Sequence, residues 1–201
     1  MARPSDARAR LIRVSAALFR QRGYDGVGLT EILVASGAPK GSFYHHFPGG
    51  KEQLAAECIS YAGEQMRLTI DRAMSEASDF KDGIRLLTSG AADWMERSGF
   101  REGCPLTSIA LATTPAVADH AKAVREAFES WGERLATHAA RFGASSFTPA
   151  DASHLVALLE GAWIIARVRQ SREPLIAAAE RFLNDLDRRL EPPLKTAPAS
   201  A

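Results

Sequence analysis

Apolar residues recur along this chain at three- and four-residue spacing, and nowhere do they alternate with polar residues in a Val/Ile/Thr-rich run. That period lines one stripe of a helix rather than one face of a strand, so an all-α fold is expected. Leu11, Ile12, Ser15, Leu18 and Phe19 make the first apolar-to-small stripe; Leu54, Cys58, Tyr61, Met66, Ile70 and Met74 make a longer one. Glycine and proline punctuate the pattern. Helices are predicted over about 5–22, 31–36, 40–46, 51–74, 82–97, 105–113, 115–141, 148–171 and 174–190. Ser5, Thr30 and Thr148 serve as N-caps, and Gly23 lies just past the end of the first helix. The Pro/Ala-rich stretch 191–201 reads as a disordered tail.

Composition removes several classes. A chain of 201 residues that is 46% hydrophobic can bury a sizeable core and is not wholly disordered. Its most apolar stretches, 155–159 and 163–166, fall far short of the roughly 18 residues of a membrane span. Arginines interrupt the N-terminal segment, so no signal peptide is expected. Cys58 and Cys104 form no paired motif, which argues against a disulfide framework or zinc site and fits a reducing cytoplasm. Gly26-Val-Gly28 lacks the third glycine and the preceding strand of a dinucleotide site, Gly50-Lys51 is followed by Glu, and no G-x-S-x-G occurs. His45 and His46 are neighbours pointing apart on a helix, while His120, His138 and His154 lack a ligand-type partner one turn away. No catalytic residue, metal or cofactor is expected.

The net charge of +1 hides an asymmetry. Residues 1–51 carry eight Lys/Arg against three Asp/Glu, and the rest carry 17 against 21. A basic head on a mildly acidic body suits a polyanion partner for the head alone, or else a solvated charged helix. Within the head, 30–36 and 40–46 are two short helical segments joined by Gly37-Ala38-Pro39. That is the spacing of a helix-turn-helix, whose second helix enters the major groove, and equally of an aromatic-rich αα-hairpin. Lys40 and His45 are donors, Ser42 and Tyr44 offer hydroxyls, and Gly41 lets backbone approach a base or phosphate; Phe43 and Phe47 would anchor the small core.

These residues also carry a resemblance. The block Lys40-Gly-Ser-Phe-Tyr-His-His-Phe47, followed by Lys51-Glu and Leu54, resembles the DNA-binding signature of TetR-type (tetracycline-repressor-like) transcriptional regulators. Leu18-Phe-Arg-Gln-Arg-Gly-Tyr24 fits it too, and the likeness covers about residues 8–62. Pro39 departs from the usual Ser or Thr, and two glycines precede Lys51 where one short polar residue is common. Both departures occur in an LmrA/YxaF-like subgroup, to which Gly103-Cys-Pro-Leu and Leu159-Glu-Gly-Ala162 are similar. The resemblance implies a helix-turn-helix domain over 1–50 and a helical ligand-binding and dimerisation domain over 51–190. It places Thr30 at a phosphate, Lys40, Gly41, Ser42 and His45 on the recognition helix, Tyr44 and His46 at the sugar–phosphate backbone, and Lys51 at a phosphate. The implied partners are an operator in double-stranded DNA, a small-molecule effector and a second copy of the chain.

Large apolar groups concentrate in the second half. Trp94, Phe100, Phe128, Trp131 and Trp163, with Cys104, either pack a core or line a pocket, with Glu160 or Arg167 orienting a ligand's polar end and loop 98–103 as its entrance. The last two helices carry long apolar stripes including Leu158, Ile165, Leu175 and Phe182, with small residues at Gly161 and Ala162. A symmetric partner would close these into a four-helix interface. The resulting expectation is a homodimeric, ligand-responsive repressor. The alternatives are a helical small-molecule-binding protein or enzyme with a merely solvated basic head, and a sequence-independent nucleic-acid binder.

Overall fold

The computed structural model describes residues 4–144 and 146–190, and all regular structure among them is helical. Its elements are α1 (Pro4–Arg22), α2 (Leu29–Ser36), α3 (Lys40–His46), α4 (Gly50–Glu76), α5 (Phe80–Arg97), α6 (Pro105–Thr113), α7 (Ala118–Arg141), α8 (Pro149–Arg169) and α9 (Glu173–Leu190). The all-α expectation holds. The expected tail, 191–201, lies outside the described residues.

Local chemistry sets the boundaries. Gly23 (φ +75°) and Gly37 (φ +61°) adopt the left-handed backbone that closes α1 and α2, where a side chain would be strained. Thr148 and Asp151 cap α8 reciprocally: the hydroxyl accepts from the Asp151 N–H, and the carboxylate accepts from the Thr148 N–H at 2.8 Å. Several helix starts depart in detail from expectation, α7 beginning at Ala118 rather than 115. Ser5 falls inside α1. Extended Gly28 is the N-cap of α2, so Thr30 sits in the first turn and caps nothing. Pro39 is the N-cap of α3, which starts at Lys40 as predicted. Helix α5 starts at Phe80, earlier than predicted, because Asp79 accepts from the Asp82 N–H at 2.8 Å.

Leu11, Phe19, Val27, Ile32, Phe43, Phe47 and Leu54 are fully buried, so α1–α3 close over the first turn of α4. The same core continues along α4 through Ile59, Ile70 and Met74 to α5, α7 and α9. Helix α7 lies close on α4 at Gly63, where an added Cβ would meet the Ala127 Cβ at 3.0 Å. Leu175 and Phe182 are 0% and 2% exposed within the single chain. Phe182 meets Phe147 and His154 edge-on, so these two predicted interface residues belong to the protomer's own core.

Polar cross-links reinforce the α4–α7 seam. Asp71 accepts from Arg134, from His138 Nε2 at 2.8 Å and from Arg67 Nη1 at 3.0 Å. The Arg134 guanidinium foremost, then His138, lower its pKa to about 2. A folded-state pKa below the ordinary 3.8 makes this stabilisation fully present above pH 4 and lost as pH falls toward 2. Partial exposure screens the network, so Asp71→Asn should cost about 1 kcal/mol at pH 7. Urea melts across pH should find the two proteins converging near pH 2; an equal gap at both ends would remove Asp71 ionisation as the cause.

Candidate nucleic-acid interface and cavities

Helix α3 owes its position to Phe43 and Phe47, both fully buried, with ring centroids 5.5 Å apart. Anchoring that side turns the other outward. Lys40, Gly41 and His45 are exposed, Tyr44 is 45% exposed, and Ser42 and His46 are half-buried. An added Cβ at Gly41 would meet nothing within 4 Å, so backbone there is open to approach. Exposed Thr30 sits at the start of α2, where the first intrahelical bond runs from Ile32 to the Gly28 carbonyl at 3.2 Å. The N–H groups of residues 29–31 precede it and face no intrahelical acceptor. Lys51 is held differently: its Nζ donates to the Tyr24 carbonyl at 2.7 Å and lies 3.9 Å from the Tyr24 ring centroid. Partial burial holds its pKa below the ordinary lysine value.

The basic head is partly neutralised from within. Arg8 pairs with Glu57, Arg20 with Glu102 and Arg22 with Glu31. Arg10 instead donates to the Ser36 carbonyl at 2.7 Å. Arg10, Arg13, Lys40 and Lys51 have no carboxylate within ion-pair distance among the described residues.

Loop 98–104 is tied to the helices around it. Arg20 Nε lies 2.9 Å from Glu102, the Gly103 N–H donates to the Arg20 carbonyl at 3.2 Å, and the Trp163 indole donates to the Glu102 carbonyl at 3.0 Å. The Arg20 guanidinium stacks 4.7 Å from the Trp94 ring, and Trp94 lies 5.6 Å from Trp163. Helices α1, α5 and α8 thus meet on this loop. Phe100, with φ +58°, packs against Ala92, Met95 and Leu175.

A groove and a smaller cavity border α8. An open groove of about 820 Å³ runs between α6, α7 and α8, past Phe128 and Glu160. A small inner cavity of about 70 Å³ is walled by Trp131, Trp163, Met66 and Leu87; Val156 and Glu160 border both spaces. Trp131 is buried and donates to the Gly63 carbonyl at 2.9 Å. Trp94, Phe100, Cys104 and Arg167 line neither of these two cavities. Arg167 is exposed near Gly103. Burial, then the nearby Glu160 carboxylate, push the Cys104 thiol up to about 12. It is protonated at neutral pH.

Comparison with known proteins decides the family. Residues 11–58 match the model of bacterial regulatory proteins of the tetR family, and residues 81–181 match the C-terminal domain of LmrA/YxaF-like transcriptional regulators. The chain belongs to the TetR family. Similar proteins include the uncharacterized HTH-type transcriptional regulator YxaF of Bacillus subtilis (strain 168), 31% identical over 88% of this chain and 93% of that one. The HTH-type transcriptional regulator LmrA of the same strain is 32% identical over 85% and 92%. The crystal structure of a regulatory protein TetR from Rhodobacter sphaeroides is 30% identical, with a TM-score of 0.76, covering 88% of this chain and 96% of that chain.

The TetR-family assignment makes this chain a DNA-binding transcriptional regulator. Among the described residues no helix is long and apolar enough to cross a membrane, and no group of His, Cys, Asp or Glu is arranged to hold a metal ion. Sequence reasoning missed Arg20, Glu102 and Thr107. Thr107 donates to Glu160 at 2.7 Å from a different helix, and no sequence spacing relates the two. For Arg20 and Glu102 the only available signal was an unassigned charge near a glycine-bounded loop.

Proposed function

We propose that this TetR-family regulator is a homodimeric repressor of a palindromic operator, released when a small lipophilic molecule enters the α6–α7–α8 groove. The exposed face of α3 carries the DNA reading, because buried Phe43 and Phe47 fix it while Lys40, Gly41, Tyr44 and His45 stay free. Residues 1–50 form the operator-binding unit and 51–190 the regulatory unit, joined by α4 and by the strut at Arg20 and Glu102. Two copies of α3 would read successive major grooves about 34–36 Å apart. Exposed Ile164, Ile165 and Val168, with open space at Gly161, support α8 as the dimer face. A ligand that binds better to one spacing of the two α3 helices shifts the population toward it, at a coupling of typically 1–3 kcal/mol.

The test is an anisotropy titration against the chain's own upstream DNA and a scrambled duplex. Lys40→Ala should cost about 1–3 kcal/mol on the specific site and little on the scramble, as expected of a base-edge contact. Tyr44→Phe should weaken both duplexes alike. Equal loss on both for Lys40→Ala would move Lys40 to a phosphate. Equal binding of both duplexes by the unaltered protein would favour a sequence-independent binder.

A further inference from the structure

We infer that the groove between α6, α7 and α8 takes a lipophilic organic cation. This rests on the proposed reading of that groove as the effector site and adds the ligand's chemical class. Its volume of about 820 Å³ is that of a site for a drug-sized molecule. Ala110, Val124, Phe128 and Val156 give it an apolar wall. The ionisable groups on that wall are Glu129, Glu133, Glu160 and Arg125, three carboxylates against one guanidinium. Glu129, Glu133 and Arg125 are exposed, and none has a side-chain partner among the described residues.

Glu160 is the decisive group. It is half-buried between the groove and the inner cavity; its hydrogen-bond partner is the Thr107 hydroxyl at 2.7 Å, and the Cys104 thiol lies near it. Both are neutral. A half-buried carboxylate whose partners carry no charge lacks the counter-ion that such groups ordinarily acquire. Lys or Arg would normally supply it; here Arg125 stands on α7 at the rim and Arg167 lies outside the groove. A cationic ligand completes the site. Phe128 adds an aromatic ring to the same wall, which favours a cation over a neutral body of the same shape. An anion of that size would face the unbalanced carboxylates and be repelled.

Tetraphenylphosphonium and tetraphenylborate have nearly the same size and shape and opposite charge, and triphenylphosphine oxide is a neutral relative. Calorimetric titration of the full chain with each separates charge from lipophilicity. Tetraphenylphosphonium should bind at least tenfold more tightly than either of the others. Glu160→Gln keeps an acceptor for Thr107 and should weaken the cation at least fivefold while leaving the phosphine oxide unchanged. Ala157→Trp, at an exposed position on the groove wall, should block all binding. Tetraphenylborate or phosphine oxide binding as tightly as the cation would overturn the cation inference yet leave the groove as the effector site. So would cation binding that Glu160→Gln leaves unchanged while Ala157→Trp abolishes it. Cation binding untouched by both variants would place the ion elsewhere and overturn the inference. If none of the three bound, the effector reading of the groove would fail and the inference with it.

Discussion

Ile165→Asp combined with Val168→Asp should give a folded monomer that binds the operator at least a hundredfold more weakly. In one chain Ile164, Ile165 and Val168 are 60%, 47% and 79% exposed along one side of α8. Contiguous apolar surface of this kind on a helix marks an interaction face. Burying such a side chain stabilises by about 1.5–3 kcal/mol, and an isologous contact buries each one twice. Aspartates there set like charges against each other across the two-fold axis. A monomer carries one α3, so it keeps only one half-site's contacts. Phe182→Asp is the contrasting variant. That ring lies in the protomer's own core, so a buried, unpaired charge should unfold the chain rather than separate two copies. Sedimentation at micromolar concentration with circular dichroism distinguishes the cases. A monomeric unaltered protein, or a double variant that stays dimeric, would rule out α8 as the interface.

The contrast between Ile165 and Phe182 marks where sequence reading reaches its end. The helix-turn-helix was legible because backbone chemistry fixes it locally: Gly37 permits the left-handed turn, Pro39 restarts the chain, and α3 and α6 occupy their predicted ranges. Thr30 misled because a capping-type residue in the first turn looks like a cap, while Gly28 reached the extended conformation without a side chain. Stripes on α8 and α9 were also legible as stripes, but periodicity does not say which neighbour covers them. Helices α5 and α8, with Phe147 before α8, already cover Leu175 and Phe182, leaving only the outer residues of α8. The groove was least legible. Tryptophans suggested a pocket by their bulk, yet Trp94 and Trp163 brace a loop, while much of the real wall is Ala, Val and Gly, whose small side chains leave the space. Glu160 was visible as a charge on an apolar helix. That its hydrogen-bond partner and the thiol beside it are neutral depends on Thr107 and Cys104 arriving from another part of the chain.

Operator affinity should fall about a thousandfold between 50 and 200 mM salt. Internal ion pairs consume Arg8, Arg20 and Arg22, so the excess of basic residues in 1–51 overstates the field that DNA meets. Among the described residues Arg10, Arg13, Lys40 and Lys51 have no carboxylate at ion-pair distance; Arg10 and Lys51 are held by carbonyl oxygens, which leave their charge intact. About three neutralised phosphates per half-site then make about six per dimer, and log K falls against log salt with a slope near −5. Lys51→Ala should make that slope shallower by about two, one for each protomer, and weaken specific and scrambled DNA alike. Lys51 must give up the Tyr24 carbonyl or swing past it to reach a phosphate, so Lys51→Arg, longer and forked, should keep the slope. A slope near zero would mean that the basic head is merely solvated. A full slope in Lys51→Ala would assign the missing charge to Arg10 or Arg13, leaving Lys51 to tie Tyr24 to the first turn of α4.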